Sequence, residues 1–514
     1  VADKLRPLAG VSAATVRDIL ATADRAFERL TEVAPEDQRL RWRRAMMQVT
    51  FVEIFRALGD SKEALRRATL SRDLMITLVA EIPDNTNWLN DLAVARERMG
   101  DVLIDQGSLP EALAEYQAEL QLFQRLADKD PNNTDWQRNV AIGHEKIGDI
   151  LLKQGDLPGA LAQYRAKLDI MERLIARDSG NVIWQRSLAI AHEKIGDVLS
   201  AQGDLDGALA EYRAYLAIAE RLATRDPTNS VFQRDLSVAH DLIGSVLFDK
   251  RDLKGALEEY RADEAIARRL AAEDPGNAVW QDDLSISDEK VGDVLLAQGD
   301  RRGALKEYRA CLAIRKRLAG KDPANTDWQR SLEIAHGKVG SVLRDDGDLA
   351  GALAEYRADL AIAERLARRD PDYARWQRDL SITHERLGDI LRQQGDIAGA
   401  LAEYRAELQI AERLVQKNPR IAEWQRSLLL ARYRLGLVEL LRNNPAAALA
   451  IFEECEKLAL RIQEMNPAAP TSAGDLAVVR EQIAAARQKL APQGPAGAPA
   501  PQEPAGAPAP APAK

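Results

Sequence analysis

Several things are scarce in this chain, and each scarcity excludes something. Aromatic residues make up 5% of the 514 residues and long β-branched runs are missing, which argues against a fold built on sheets. There are two cysteines, Cys311 and Cys455, and five histidines, too few for a disulfide framework. No apolar run approaches the ~20 residues of a membrane span. The start, Val1-Ala2-Asp3-Lys4-Leu5, lacks the apolar core of a signal peptide. It also lacks an initiator Met, so the chain is expected to be processed or cut from a longer protein. A basic excess is absent: the net charge is −9, and an acidic chain offers no electrostatic footprint for nucleic acid. The glycines form no phosphate-cradling loop. What remains is 46% hydrophobic and 29% charged and is dominated by Ala, Leu, Arg, Glu and Gln, a helix-forming composition able to bury a large core.

The most informative feature is a period. Trp stands at 88, 136, 184, 280, 328, 376 and 424, with Phe232 in the gap, every step being 48 residues. Tyr116, Tyr164, Tyr212, Tyr260, Tyr308, Tyr356 and Tyr404, then Phe452, keep the same step. So do Pro35, Pro83, Pro131, Pro227, Pro275, Pro323, Pro371, Pro419 and Pro467, with Ser179 the one interruption. A fixed period of this size signals stacked repeats. We number them one to eight from Trp88.

Residues 136–183 serve as the type repeat. Trp136, Val140, Ile147 and Leu151 keep one face of a first helix. Gly155 suits the left-handed conformation that ends a helix. Asp156 can cap the next by accepting from its free N–H groups. The capping register reads Ser108, Asp156, Asp204, Asp252, Asp300, Asp348, Asp396 and Asn444, all good N-cap types. The second helix carries Ala160, Leu161, Tyr164 and Leu168 on one side. Asn recurs three residues before the aromatic in six of the eight repeats and can cap the following first helix. Each repeat is thus a helix hairpin whose apolar face is too large to hide alone, and stacking buries it in one continuous core.

The corner of each hairpin resembles the tetratricopeptide repeat: an apolar-Gly pair, a second Gly, a small Ala and an aromatic, here Ile147-Gly148, Gly155, Ala160 and Tyr164. The pair's glycine recurs as Gly100, Gly196, Gly244, Gly292, Gly340, Gly388 and Gly436. The period is longer than that family's usual 34 residues by 7 in each helix. Seven residues are nearly two turns, so the apolar face survives the extension. The resemblance implies an all-α, right-handed superhelical α-solenoid. It also implies a cytoplasmic, bacterial protein- or peptide-binding scaffold, like arrays found in large multidomain proteins, with no cofactor, no catalysis and no membrane. The alternative is an oligomerisation or sensor module that clusters or regulates an upstream effector. Residues 1–39 read as a helix and lead-in, 40–87 as a degenerate repeat and 88–471 as the eight repeats. Residues 472–490 read as a capping helix, and 491–514 as a disordered Pro/Ala-rich tail.

Several registers carry residues that could do chemistry or could be plain structure. His144, His192, His240, His336 and His384 share one register, and stacked repeats hold them too far apart for one metal ion. The cysteines share a register that the family usually gives to a small residue, and an inert buried thiol is expected. The Trp and Tyr series reads as core. The family's groove positions map to Ile142, Glu145, Asp149, Leu152 and Lys153. Acids recur there as Glu97 and Asp101, Glu145 and Asp149, Glu193 and Asp197, Glu289 and Asp293, Glu385 and Asp389, with Asp241 in repeat four. Like charges one turn apart cost a helix a few tenths of a kcal/mol. One reading is that Lys146, Lys194, Lys290 and second-helix arginines neutralise them. The other is an acidic groove for a basic, extended partner segment. Phe248, Arg344 and Arg392 break the pattern and are the better candidates for specificity.

Overall fold

The computed structural model describes residues 13–465 and 470–491. Among these residues all regular structure is helical. The order is α1 Ala13–Val33, then a leading hairpin of α2 Gln38–Ala57 and α3 Ser61–Glu81. The repeats follow: α4 Thr86–Asp105 with α5 Leu109–Lys129; α6 Thr134–Lys153 with α7 Leu157–Arg177; α8 Val182–Ala201 with α9 Leu205–Arg225; α10 Ser230–Asp249 with α11 Leu253–Glu273. Repeats five to eight are α12 Ala278–Ala297 with α13 Arg301–Lys321; α14 Thr326–Asp345 with α15 Leu349–Arg369; α16 Ala374–Gln393 with α17 Ile397–Lys417; α18 Ala422–Leu441 with α19 Pro445–Met465. The last helix is α20 Pro470–Leu490. The chain divides into two compact bodies, α1–α11 and α12–α20, between Asp274 and Pro275. Within each body, each first helix packs on the second helix of its own repeat and, where a repeat precedes it in that body, on the second helix of that repeat.

Local chemistry sets the boundaries. Gly155 has φ +82°, a backbone an L side chain resists. Asp156 then accepts from the Gly159 N–H at 3.0 Å, and Asn133 accepts from the Trp136 N–H at 3.2 Å. The pattern has exceptions. Ser108 makes no capping bond, unlike the aspartates of its register. Tyr373 and Ile421 replace the capping Asn and also cap nothing. Arg251 and Asn443 take the glycine position with φ 64° and 59°.

The corner of each hairpin explains the invariable small residue. A Cβ on Gly148 would lie 2.6 Å from Cε1 of Tyr164, so the two helices touch through the bare backbone and the phenol ring. Tyr164 is fully buried. The tryptophans are not, and this corrects the reading of both series as core. Trp88, Trp136, Trp184, Trp280, Trp328, Trp376 and Trp424 are all half-buried. They sit in the first turn of each first helix and cover the rim of a cluster rather than filling it, as Trp136 and Trp184 do beside Leu126, Ile170 and Leu174. Pro467, residues 1–12, and the tail beyond Ala491 lie outside the described residues.

Candidate functional site

All fourteen candidates on the first helices are half-buried: Glu97, Asp101, Glu145, Asp149, Glu193, Asp197, Asp241, Phe248, Glu289, Asp293, Arg344, Glu385, Asp389 and Arg392. The aspartates share one task. The hydroxyls of Tyr116, Tyr164 and Tyr212 donate to Asp101, Asp149 and Asp197 at 2.7, 2.7 and 2.8 Å. Tyr308 and Tyr404 donate to Asp293 and Asp389 at 2.5 and 2.6 Å. Where the register holds serine the bond is kept, Tyr260 to Ser245 at 3.0 Å and Tyr356 with Ser341 at 3.1 Å. Burial, then the neighbouring Asp149 as hydrogen-bond acceptor and charge, raises the Tyr164 phenol well above its ordinary range.

Apart from Glu193, the glutamates are held by cations, many from the following repeat. Lys146 reaches back to Glu97 at 2.5 Å and Lys194 to Asp149 at 3.6 Å. Lys338 meets Glu289 at 3.0 Å and Asp293 at 2.5 Å, and Arg434 pairs with Glu385. Second helices add Lys167 on Glu145 at 2.6 Å and Arg315 on Glu289 at 2.5 Å. Arg344 lies on its neighbour Asp345 at 2.8 Å, and Arg392 is 3.8 Å from Asp389. Most of the acidic face is therefore a charge ladder internal to the protein.

Four of the histidines tie the hairpins together. Nδ1 of His192, His240, His336 and His384 lies 2.6–2.7 Å from Glu211, Glu259, Glu355 and Glu403 of the same repeat. His144 meets Gln163 at 2.8 Å. Arg96 makes the equivalent bond to Glu115 at 2.7 Å.

One register was misjudged. The cysteine position is not reserved for small residues: its eight occupants are Glu119, Lys167, Tyr215, Asp263, Cys311, Asp359, Glu407 and Cys455, all buried. This second-helix position faces the first helices, and its identity decides what each repeat buries there. Lys167 has no exposed side-chain surface and holds Glu145. Burial pushes the Glu119 carboxyl up to about 8, with Lys146 at 3.7 Å opposing the shift. Burial likewise pushes Glu407 up to about 8 although Arg434 lies at 2.7 Å. Asp359 rises to about 6 for the same reason, and it accepts from the Thr383 hydroxyl at 3.1 Å. Burial raises both thiols to about 12, so neither is a nucleophile near neutral pH. Reading the sequence in columns 48 residues apart would have exposed this mixed polar column between Tyr164 and Met171.

Hollows open on the first-helix face in both bodies. In the first body a hollow of about 440 Å³ lies among Arg138, Ile142 and Glu145 of α6, Val182, Ile183, Arg186, Ser187 and Ile190 of α8, and Asn229, Val231 and Phe232 at the start of α10. In the second body a hollow of about 150 Å³ is walled by Arg378, Ile382 and Glu385 of α16, Glu407 of α17, and Glu423, Trp424, Arg426 and Arg434 of α18. No helix among the described residues is long and apolar enough to cross a membrane.

The family model for the tetratricopeptide repeat matches residues 290–325. No curated protein sequence matches the chain. Among solved structures the chain is similar to the apo form of RapI, at 12% identity and a TM-score of 0.47 over 78% of this chain and 98% of that one. It is similar to BtubC from P. vanneervenii at 17% identity and 0.41, over 51% and 92%. It is also similar to the C-terminal part of a TPR repeat-containing protein from Cytophaga hutchinsonii at 16% and 0.35, over 62% and 95%.

Proposed function

We propose that this chain, an array of tetratricopeptide repeats, is a scaffold that binds a protein or peptide on the face formed by its first helices. We read it as working in the bacterial cytoplasm as part of a larger protein. The observation that carries the reading is the unevenness of the first-helix face. Many shared charges of the repeat are consumed by internal ladders, whereas the hollow of repeats two to four adds Val182, Ile183 and Val231, at registers polar or small in most repeats, to Ile142 and Ile190 of a register apolar in all eight. A repeat array needs neighbour interfaces for stability; it does not need exposed isoleucine on its surface. Ile183 is 63% exposed and Val231 48%, and such clustered apolar exposure marks interaction surfaces.

Recognition, with no bond making, is the mechanism. Within each body the stacked first helices present side chains at set intervals, so a partner pays little to order that receptor surface. The test is capture of a partner by the full chain, identification by mass spectrometry, and reconstitution of the complex from purified components by sedimentation velocity. A one-to-one complex supports the scaffold. An array that only self-associates as its concentration rises, and holds no purified partner, replaces it with the oligomerisation reading.

A further inference from the structure

We infer that the hollow of repeats two to four is the docking site for an extended segment of a partner protein, one that lays apolar side chains against Ile142, Ile183, Ile190 and Val231 and reaches one lysine or arginine past the hollow's lining to Glu193, one turn along α8 from Ile190. The inference deepens the scaffold reading and rests on it.

The argument begins with a missing rung. The register of Lys146 holds a base in seven repeats and Leu242 in repeat four. Where ladders are described, that base reaches back to the acids of the repeat before, as Lys146, Lys194, Lys338 and Arg434 do. Leu242 instead packs on the cluster of Ala189, Ile218 and Ala239. Among the described residues no cation of repeat four therefore pairs with Glu193 or Asp197, and Lys250 of that repeat reaches Asp206 instead. Among the described residues Glu193 makes neither a hydrogen bond nor an ion pair. Asp197 accepts only from the Tyr212 hydroxyl at 2.8 Å. Burial, reinforced by the charge of Asp197, pushes the Glu193 carboxyl up to about 7. Lys194 and Lys167 oppose that rise through their charge without pairing with it, and a half-buried carboxylate that no ion pair holds gains more from an arriving cation than a solvated one does.

The apolar walls are the second observation. At the register of Ile183, the other repeats carry Asn87, Asp135, Asp327, Arg375 and Glu423, as well as Val231 and Val279. Repeats three and four thus place Ile183 and Val231 where most neighbours are polar. Arg186, which crosses this region, is already held by Asp235 at 2.6 Å.

The far end is also marked. Arg186, Arg330 and Arg426 each hold an aspartate two helices along, on α10, α16 and α20. Arg138 meets Ser187 in that place and makes no hydrogen bond or ion pair among the described residues. Arg138 and the level of Glu193 are separated by seven residues of helix, about 10 Å. An extended chain covers that in about three residues. The chemistry that fits is an acid, two apolar residues and a base in sequence. The Pro/Ala-rich stretch after residue 491 does not supply it, because Glu503 and Lys514 are its only charges.

The test uses the full chain and fluorescein-labelled twelve-residue peptides read by anisotropy. One repeats Asp-Val-Ile-Lys three times and the other Asp-Ser-Ser-Lys. The first is expected to bind and the second not. Leu242→Lys, which restores the rung, and Glu193→Gln, which leaves Leu242 and its packing in place, should each weaken binding at least tenfold. Lys457→Gln, on α19 of the second body, should change nothing. Equal binding by wild type and both variants, or no binding of the first peptide, overturns the inference. If either occurs while the purified natural partner is still held, the scaffold reading stands and only this site fails. If the array assembles only with itself and Leu242→Lys abolishes that assembly, the occupant is a second copy and both readings fall.

Discussion

The hollow of repeats two to four and the hollow of repeats seven and eight are built from the same registers and end up opposite in character. In the first, Arg138 faces Ser187, Leu242 stands where a base would reach back, and the walls are isoleucine and valine. In the second, Arg378 meets Glu423 at 2.5 Å, Arg426 meets Asp475 at 2.7 Å, and Arg434 spans Glu385 and Glu407. A repeat scaffold can therefore stay uniform in fold while individual rungs are opened or closed. Closed rungs neutralise each other and leave little for a partner to satisfy. Open rungs leave desolvated charge beside exposed apolar surface.

The comparison is tested most severely through the buried register behind each hollow. Lys167→Ala should cost about 3 kcal/mol, because it removes a fully buried stem and takes the cation from Glu145. Arg434→Ala should cost less, about 1–2 kcal/mol, since Glu407 is already pushed up to about 8 and can stay neutral once its arginine is gone. Chemical denaturation of the two variants checks the ranking, and equal losses would break it.

The tyrosine bonds give a smaller contrast. Tyr212→Phe should cost about 1–2 kcal/mol, since Asp197 accepts only from that hydroxyl. Tyr404→Phe should cost about 0.5–1 kcal/mol, because Asp389 also has Arg392 at 3.8 Å. Hydrogen exchange in α8 and α16 would show the difference locally.

The smallest effect concerns pH. Burial raises Glu193 to about 7 and Glu407 to about 8. Between the ordinary carboxylate value and these, the folded chain keeps a proton that the unfolded chain has lost. Raising the pH through that window therefore favours unfolding. The loss around repeat three should be complete near pH 7, and that around repeat seven should continue to about pH 8. Exchange rates in α8 and α17 followed from pH 5 to 9, corrected for intrinsic exchange, measure both. Glu407→Gln should flatten the second, and an unchanged slope would remove Glu407 as its cause.

Much of this molecule was legible beforehand because helix hairpins announce themselves locally. Gly155, Asp156 and Asn133 do in the structure what their positions implied, and Tyr164 fills the corner against Gly148. Trp136 looked like core because large apolar residues usually are, but a first-turn position lies at the rim of a stacked pair. For Asp149 the sequence left two readings open, an internally neutralised charge or part of an acidic groove, and the bond it accepts from a phenol fifteen residues later was in neither. Lys167 drew no notice, being a base among many on an ordinary second helix.

The amino-acid sequence alone determined the period, the hairpins, their caps and the close glycine–tyrosine corner. Each of these depends on residues within one repeat, so local backbone and helix rules suffice. Tertiary structure decided which charges are spent and which are left. A base such as Lys146 meets its acid 49 residues away, and only the stacking of one repeat on the next brings the two within reach. The same stacking turns the single leucine at 242 from a conservative-looking packing residue into an open rung beside Glu193.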